Sequence, residues 1–218
     1  MRGSGLTGQT EMSGVEITLL LSEVAGSKGE GRILEIGTAA GGTLVQVLKT
    51  LPVSEHARVS VVDTFDYYPD HMGIFRRNLS DNGLDPDTID ARASRSNIAL
   101  KGSIGRGETF SFIIVDGSHK LKHVMEDLRW LGLLEVGGVA ALHDYSEREP
   151  GVKLAVDRFL SRNLNYKIKA QAGTLLVLEK TAVSKGAEVT WLDLIFANVY
   201  NVVLQNKKSI NRVAAIFR

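Results

Sequence analysis

Two strand-like runs near the end of the chain, Tyr166–Ala172 and Thr174–Glu179, have only Gly173 between them. Strands that close must pair as a hairpin, so the last runs antiparallel to its neighbour. This constrains the fold strongly, because everything before it alternates strand with helix, the pattern of a parallel sheet. Arg32–Ile36, Val59–Asp63, Asp87–Ala93, Phe110–Asp116 and Val139–His143 read as five strands. A leading helix over 13–26 carries Val15, Leu19, Leu20 and Val24. Leu44, Val47, Leu48 and Leu51 recur at i, i+3, i+4 and i+7, the stripe of a helix packed on a sheet. Residues 71–80 form a further helix, ended by Asp81-Asn82-Gly83, and Leu121, Val124, Leu128 and Leu131 mark another. Gly137-Gly138 turns the chain into the fifth strand, and Val152, Ala155, Val156, Phe159 and Leu160 stripe one more helix. A dinucleotide-binding domain would close on a sixth parallel strand; this chain closes on a hairpin.

The chain's 218 residues suit one α/β domain. Residues 1–30 are expected to form an N-terminal lid and the leading helix, 31–180 the core, and 181–218 a helical tail. A net charge of +1 gives no global field for nucleic acid. The absence of cysteine excludes disulfides, thiolate zinc sites and a cysteine nucleophile, and fits a cytoplasmic location. Met1–Gln9 is Gly-rich without an apolar run, so no signal peptide is expected, and the apolar stretches fall short of the roughly 18 residues of a membrane span.

The turn after the first strand reads Leu34-Glu35-Ile36-Gly37-Thr38-Ala39-Ala40-Gly41-Gly42-Thr43. In open α/β sheets, ligands bind beside such turns at the carboxyl ends of strands. A pyrophosphate-binding turn would read G-x-G-x-x-G, but Ala39 stands at its second glycine. The spacing is E-x-G-x-x-x-G-G, in which Glu35 suits an ammonium group. Asp63, ending the second strand, has the carboxylate to accept both hydroxyls of a ribose, the alternative being a helix N-cap or turn aspartate.

With SFIIVDGSHK (111–120), the following VMEDLRWL, GGVAALHDY (137–145) and the strand end VVDTFD (61–66), this turn resembles the class I S-adenosylmethionine (SAM)-dependent methyltransferases. It is closest to the small-molecule and sugar O-methyltransferase group with D-G-x-H after strand four and H-D after strand five. The resemblance covers about residues 10–180. It implies a Rossmann-like, doubly wound, seven-stranded sheet, mostly parallel with an antiparallel last strand. It implies SAM contacts at Glu35, Gly37, Thr38, Gly41, Gly42 and Thr43, ribose contacts at Asp63 and Thr64, adenine contacts near Ala93 and Ser94, and Asp116 and His119 beside the methyl donor.

In that topology strands four and five are neighbours, about 4.8 Å apart. Asp116 and Asp144, just past them, would repel each other unless a proton or a cation lies between. A divalent cation such as Mg²⁺ there would bind substrate oxygens and acidify the one to be methylated. Metal-dependent relatives, sugar and catechol O-methyltransferases among them, usually add a third side-chain oxygen, often directly after the second Asp; here that residue is Tyr145, a poor magnesium ligand. The alternative is that Asp116 bonds backbone amides and Asp144 caps a loop. His119 is the candidate base, with ligand binding or loop structure as its alternatives. His143 is expected to point away from Asp144 by strand alternation and to be structural. His56, His71 and His123 have no supporting context. Tyr67, Tyr68, Pro69, His71 and Met72 are candidates for a wall of the acceptor pocket, and residues 1–12 for a lid.

The tail carries Leu192, Ile195, Phe196, Val199, Val202 and Val203 at helical spacing. This face is expected to pack on its own domain or on a second subunit, as a homodimer. The last residues add Lys207, Lys208, Arg212 and Arg218 with no acid, which leaves attachment to a membrane surface as the lesser reading. The function expected is methyl transfer from SAM to a hydroxyl of a small molecule. N-methylation, metal-independent transfer and SAM binding without turnover are the alternatives.

Overall fold

The computed structural model describes residues 9–216, with 207–216 described by backbone alone. Seven strands form one sheet: β1 (Arg32–Ile36), β2 (Val59–Asp63), β3 (Asp90–Ala93), β4 (Phe110–Val115), β5 (Leu134–Leu142), β6 (Tyr166–Ala172) and β7 (Leu175–Lys180). Their order is β3-β2-β1-β4-β5-β7-β6. β1 to β5 pair in parallel, and β7 inserts antiparallel between β5 and β6. The hairpin expected from the sequence is present. This is the Rossmann-like doubly wound sheet.

Strand alternation divides the core into two layers. On one face, α1 (Gly14–Gly26), α2 (Gly42–Thr50) and α3 (His71–Asp81) pack on Ile33, Val59, Val61, Phe112 and Ile114. On the other, α4 (Ser96–Gly105), α5 (Leu121–Asp127), α6 (Pro150–Arg162) and α7 (Trp191–Ile216) cover Leu34, Ile36, Val62, Ile113 and Val115. Every residue of β4 is buried, as a central parallel strand requires.

Four expectations are corrected. β3 starts at Asp90 rather than Asp87, because Pro86–Thr88 forms a 3-10 turn in which the Asp85 side chain accepts from the amide of Asp87. The helix expected through Leu131 ends at Asp127 and continues as a 3-10 turn, Leu128–Leu133. Gly137-Gly138 does not precede the fifth strand but lies inside it. Between the pairs Phe110↔Leu134 and Phe112↔Val139, β5 has the longer stretch of chain, and Gly137 at φ +84° takes up the irregularity.

The fourth correction concerns α7. The Leu192/Ile195/Phe196/Val199 face is not buried against its own domain: Leu192, Ile195 and Val199 are 50–59% exposed, and Phe196 is half-buried. Asp193 fixes the rotation of the helix. Its carboxylate accepts from the amide and hydroxyl of Thr190 and meets Arg158 Nε at 2.8 Å and Arg162 Nε at 3.3 Å. With Asp193 buried at the domain, Ala197 and Asn201 follow it inward. The Arg158 guanidinium lies 4.0 Å from the centroid of the Phe196 ring.

Glu16 locks α1 to the hairpin. One carboxylate oxygen accepts from the Ser13 amide and hydroxyl, both at 2.7 Å. The other accepts from the Thr174 amide at 2.6 Å and its hydroxyl at 2.8 Å. Burial alone would raise its pKa, but these bonds bring it down to about 2. A carboxylate depressed in the folded state stabilises the fold above its ordinary value of 4.5, and that contribution is lost as pH falls toward 2. Glu16→Ala is expected to cost about 3 kcal/mol at neutral pH, read from the urea midpoint, and to flatten the acid limb of the stability curve. An unchanged midpoint would show that the four bonds carry no net stability.

Candidate active site

The chain leaves β1 in one direction across the sheet and returns to β4 on the other side, so the β1/β4 boundary is the topological switch point where doubly wound sheets bind ligands. Gly37 and Asp116 end these two strands. Gly37 sits at φ +80°, and a Cβ there would lie 2.5 Å from the Asp116 carbonyl oxygen and the Gly117 Cα. No other residue fits.

The glycine turn is braced from outside. Its Ala39, at φ +46°, has its carbonyl oxygen 2.7 Å from His71 Nε2, and the carbonyl of Ala40 accepts from Asn78 Nδ2 at 2.8 Å. Both partners come from α3. His71 is buried and stacks on Tyr68 at 4.1 Å, so it holds the turn, a role no sequence motif announced. Tyr67 is 87% exposed. The turn ends at Gly41, at φ +83°, which starts α2.

Glu35 points into this region from β1. It is 1% exposed, and neither carboxylate oxygen has a hydrogen-bond partner among the described residues. Burial pushes its pKa up to about 8, with the Thr38 side chain opposing and the Asp116 and Asp63 carboxylates adding to the rise. A buried acid in this state wants a proton or a cation. That fits the ammonium of an amino-acid moiety.

The Asp63 carboxylate accepts from the Thr38 amide at 2.9 Å and from the Phe65 amide at 2.8 Å. Each oxygen keeps a lone pair for a ligand hydroxyl. The Ser94 amide donates to the Asp63 carbonyl at 2.8 Å, which brings Ser94 and Ala93 alongside. Thr64 is exposed and donates to Asp66. At Gly42 and Thr43 the neighbour is the chain's own N-terminal segment: a Cβ on Gly42 would strike the backbone of Gln9 and Thr10, and the Thr10 and Thr43 hydroxyls are 2.8 Å apart. Of the expected lid, residues 1–8 lie outside the described residues.

Beside Gly37, the ends of β4 and β5 gather four ionisable groups. His143 Nδ1 lies 2.9 Å from Asp116 Oδ1 and 3.3 Å from Asp144 Oδ2, and its Nε2 lies 3.8 Å from Glu16 Oε2. The expectation that His143 points away from Asp144 is therefore corrected. β5 ends at Leu142 and Asp144 turns to φ +60°, so strand alternation stops before it applies. Burial opposes the protonation of His143, but the two aspartates overcome it and raise its pKa to about 10.

His119 Nε2 lies 2.8 Å from Asp144 Oδ2, and His119 Nδ1 lies 3.6 Å from Glu149 Oε2. The Asp144 hydrogen bond raises the His119 pKa above its usual value, against partial burial. Burial would raise the pKa of Asp144, but the two histidines hold it far below the carboxylate range. Asp116, Gly117, His119, His143 and Asp144 line one small pocket with an apolar floor that includes Leu142 and Val152.

Ligand atoms of Asp116, His143 and Asp144 all lie within 4.8 Å of one another. Donors around a divalent ion with bonds of roughly 2.1 Å stand about 3 Å apart, and His143 Nδ1 is 2.9 and 3.3 Å from the two carboxylates. Tyr145 supplies no third oxygen, because its hydroxyl donates to Asp157, and His143 would have to give up its proton to serve as the third donor. His56 bonds the Leu48 carbonyl, and His123 contacts the Ser118 hydroxyl.

The model of a family described as a methyltransferase domain matches residues 34–145, which contain Glu35, the glycine turn, Asp63, Asp116, His119, His143 and Asp144. Among solved structures, the chain is similar to an O-methyltransferase from Bacillus cereus in complex with SAH, at 20% identity over 78% of this chain and 83% of that one, with a TM-score of 0.62. It is similar to the O-methyltransferase TomG from Streptomyces achromogenes, in complex with SAM, at 17% identity, 78% and 82% coverage and a TM-score of 0.62. CalS11, a TDP-rhamnose 3'-O-methyltransferase, shares 14% identity with 75% and 76% coverage and a TM-score of 0.60. No curated protein sequence matches the chain.

Proposed function

Because the chain belongs to the methyltransferase family whose domain model spans residues 34–145, we propose that it moves the methyl group of SAM to a hydroxyl of a small molecule. The observation that carries this reading is the His119–Asp144 pair at 2.8 Å, set at the ends of β4 and β5 beside the switch point. SAM, when bound, supplies a methyl already activated on a sulfonium. What the chain must add is alignment, and a place for the proton of the acceptor. An amine attacks through a free lone pair, whereas an alcohol must lose its proton near the transition state, and a histidine oriented by a carboxylate serves that need.

Glu35 suits the ammonium of the methionine moiety and Asp63 the ribose. His119 Nε2–H donates to Asp144, which leaves the lone pair of Nδ1 to accept the hydroxyl proton. His119 Nδ1 would take the proton that the hydroxyl gives up as its oxygen accepts the methyl group, S-adenosylhomocysteine being the leaving group. The ionised Asp144 and the nearby Glu149 then stabilise the imidazolium. Asp116, His143 and Asp144 would hold a divalent cation, which when bound supplies Lewis acidity to a substrate oxygen. TomG and CalS11 support a natural-product or sugar acceptor.

The test is a turnover screen with SAM against hydroxylated sugars, sugar nucleotides and phenols, scored by S-adenosylhomocysteine formed, with and without EDTA. We expect turnover on a hydroxyl acceptor, and EDTA to lower it while binding of S-adenosylhomocysteine persists. Turnover confined to amines would overturn the hydroxyl assignment. Full activity in EDTA would remove the cation from the reading and leave His119 to act alone.

A further inference from the structure

α7 has a second apolar face, turned away from the domain. Leu192, Ile195, Val199 and Val202 succeed one another at spacings of three, four and three residues and are each half exposed or more, with Trp191, Tyr200 and Val203 beside them. The inward face, with Asp193, Ala197 and Asn201, is already packed. A contiguous exposed apolar face on a helix marks a contact surface.

Charge indicates what covers it. From residue 194 to the end of the sequence there is no Asp or Glu, and there are four bases, Lys207, Lys208, Arg212 and Arg218. The helix runs unbroken to Ile216, so three of these bases lie on it. In sequence, Ile210 and Val213 continue the apolar spacing past Val202. Trp191 is 68% exposed at the start of the helix; aromatic residues with a polar edge favour the boundary between water and lipid. We propose that α7 is an interfacial helix that lays its Leu192/Ile195/Val199/Val202 face on an anionic lipid surface. Lys207 and Arg212, which helix rotation sets nearer the flanks of that face, would meet the headgroups. A second copy of the chain is the competing occupant: parallel pairing of two α7 helices would set bases against bases, and the one acid of the helix, Asp193, is already held by Arg158 and Arg162. Among the described residues no helix is long and apolar enough to cross a membrane, so the contact is along the surface. This inference stands apart from the chemistry of the active site.

The experiment uses the full chain with vesicles of phosphatidylcholine, alone or mixed with phosphatidylserine, read by flotation and by tryptophan emission. The other tryptophan, Trp130, is fully buried and donates to Ser96, so a blue shift on adding vesicles reports Trp191. We expect binding to the mixed vesicles that weakens with salt, and a loss of about 25-fold in Lys207→Gln/Arg212→Gln, at about fivefold per base. Ile195→Ser/Val199→Ser/Val202→Ser should abolish binding while leaving the melting temperature and S-adenosylhomocysteine affinity in place. Failure to float with anionic vesicles, or equal binding to neutral ones, would overturn the proposal. So would a dimer in sedimentation that the triple variant converts to monomer.

Discussion

His119→Ala is expected to lower the methyl-transfer rate by about 10²- to 10⁴-fold, with S-adenosylhomocysteine affinity unchanged. His119 is set on the loop after β4, and its side chain reaches Asp144 rather than Glu35 or Asp63, so its loss removes a proton acceptor and leaves the cofactor contacts. The pH profile separates this role from a structural one. Asp144 raises the pKa of His119 above its usual 6.5, so the base is free only above that shifted value and the rate should rise with pH through it. Asp144→Asn removes the first cause of the shift, and the rising limb should move to lower pH even as the maximal rate falls. Steady-state rates across pH for both variants check this. An Ala variant with full activity, or an Asn variant whose limb stays in place, would exclude His119 as the base.

Much of the scaffold was legible in the sequence because buried parallel strands leave an unmistakable trace. Arg32–Ile36 and Val59–Asp63 match the observed strands residue for residue, since each is short, rich in Ile, Leu or Val, and set between a turn and a helix of the alternating pattern. Boundaries failed where local geometry overrode the pattern, as at Pro86 and at Gly137. The site was half legible. Asp116, His119 and Asp144 fell where strand ends predict. His143 did not, because the left-handed Asp144 breaks the alternation from which its direction was inferred. His71 was illegible for another reason: it acts through a backbone carbonyl 32 positions away in sequence, and such a contact leaves no motif. In α7 two apolar stripes compete on one helix. The choice between them falls to Asp193, whose arginine partners Arg158 and Arg162 are brought near only by the fold.

Binding of S-adenosylhomocysteine is expected to release about one proton per site below pH 8, and Glu35→Gln to abolish that release. The free protein holds Glu35 buried, with no hydrogen-bond partner for its carboxylate oxygens among the described residues and with its pKa raised to about 8. It is therefore largely protonated at neutral pH. An ammonium brought against it favours the carboxylate, and the proton must leave. Release of one proton makes the affinity rise about tenfold per pH unit between roughly pH 6 and 8, flattening above. The stability of the free protein has the opposite slope. A group raised from 4.5 in the folded state contributes fully below that value, and its contribution is lost as pH rises through about 8. The free wild type should thus melt progressively lower across this window, relative to the Gln variant, which keeps a neutral side chain throughout. Calorimetry in two buffers of different ionisation enthalpy counts the proton, and thermal melts across pH follow the stability. If ligand binding releases no proton and the Gln variant binds as tightly as wild type at pH 8, Glu35 does not face the ammonium. Its burial would then have to be explained by the turn alone.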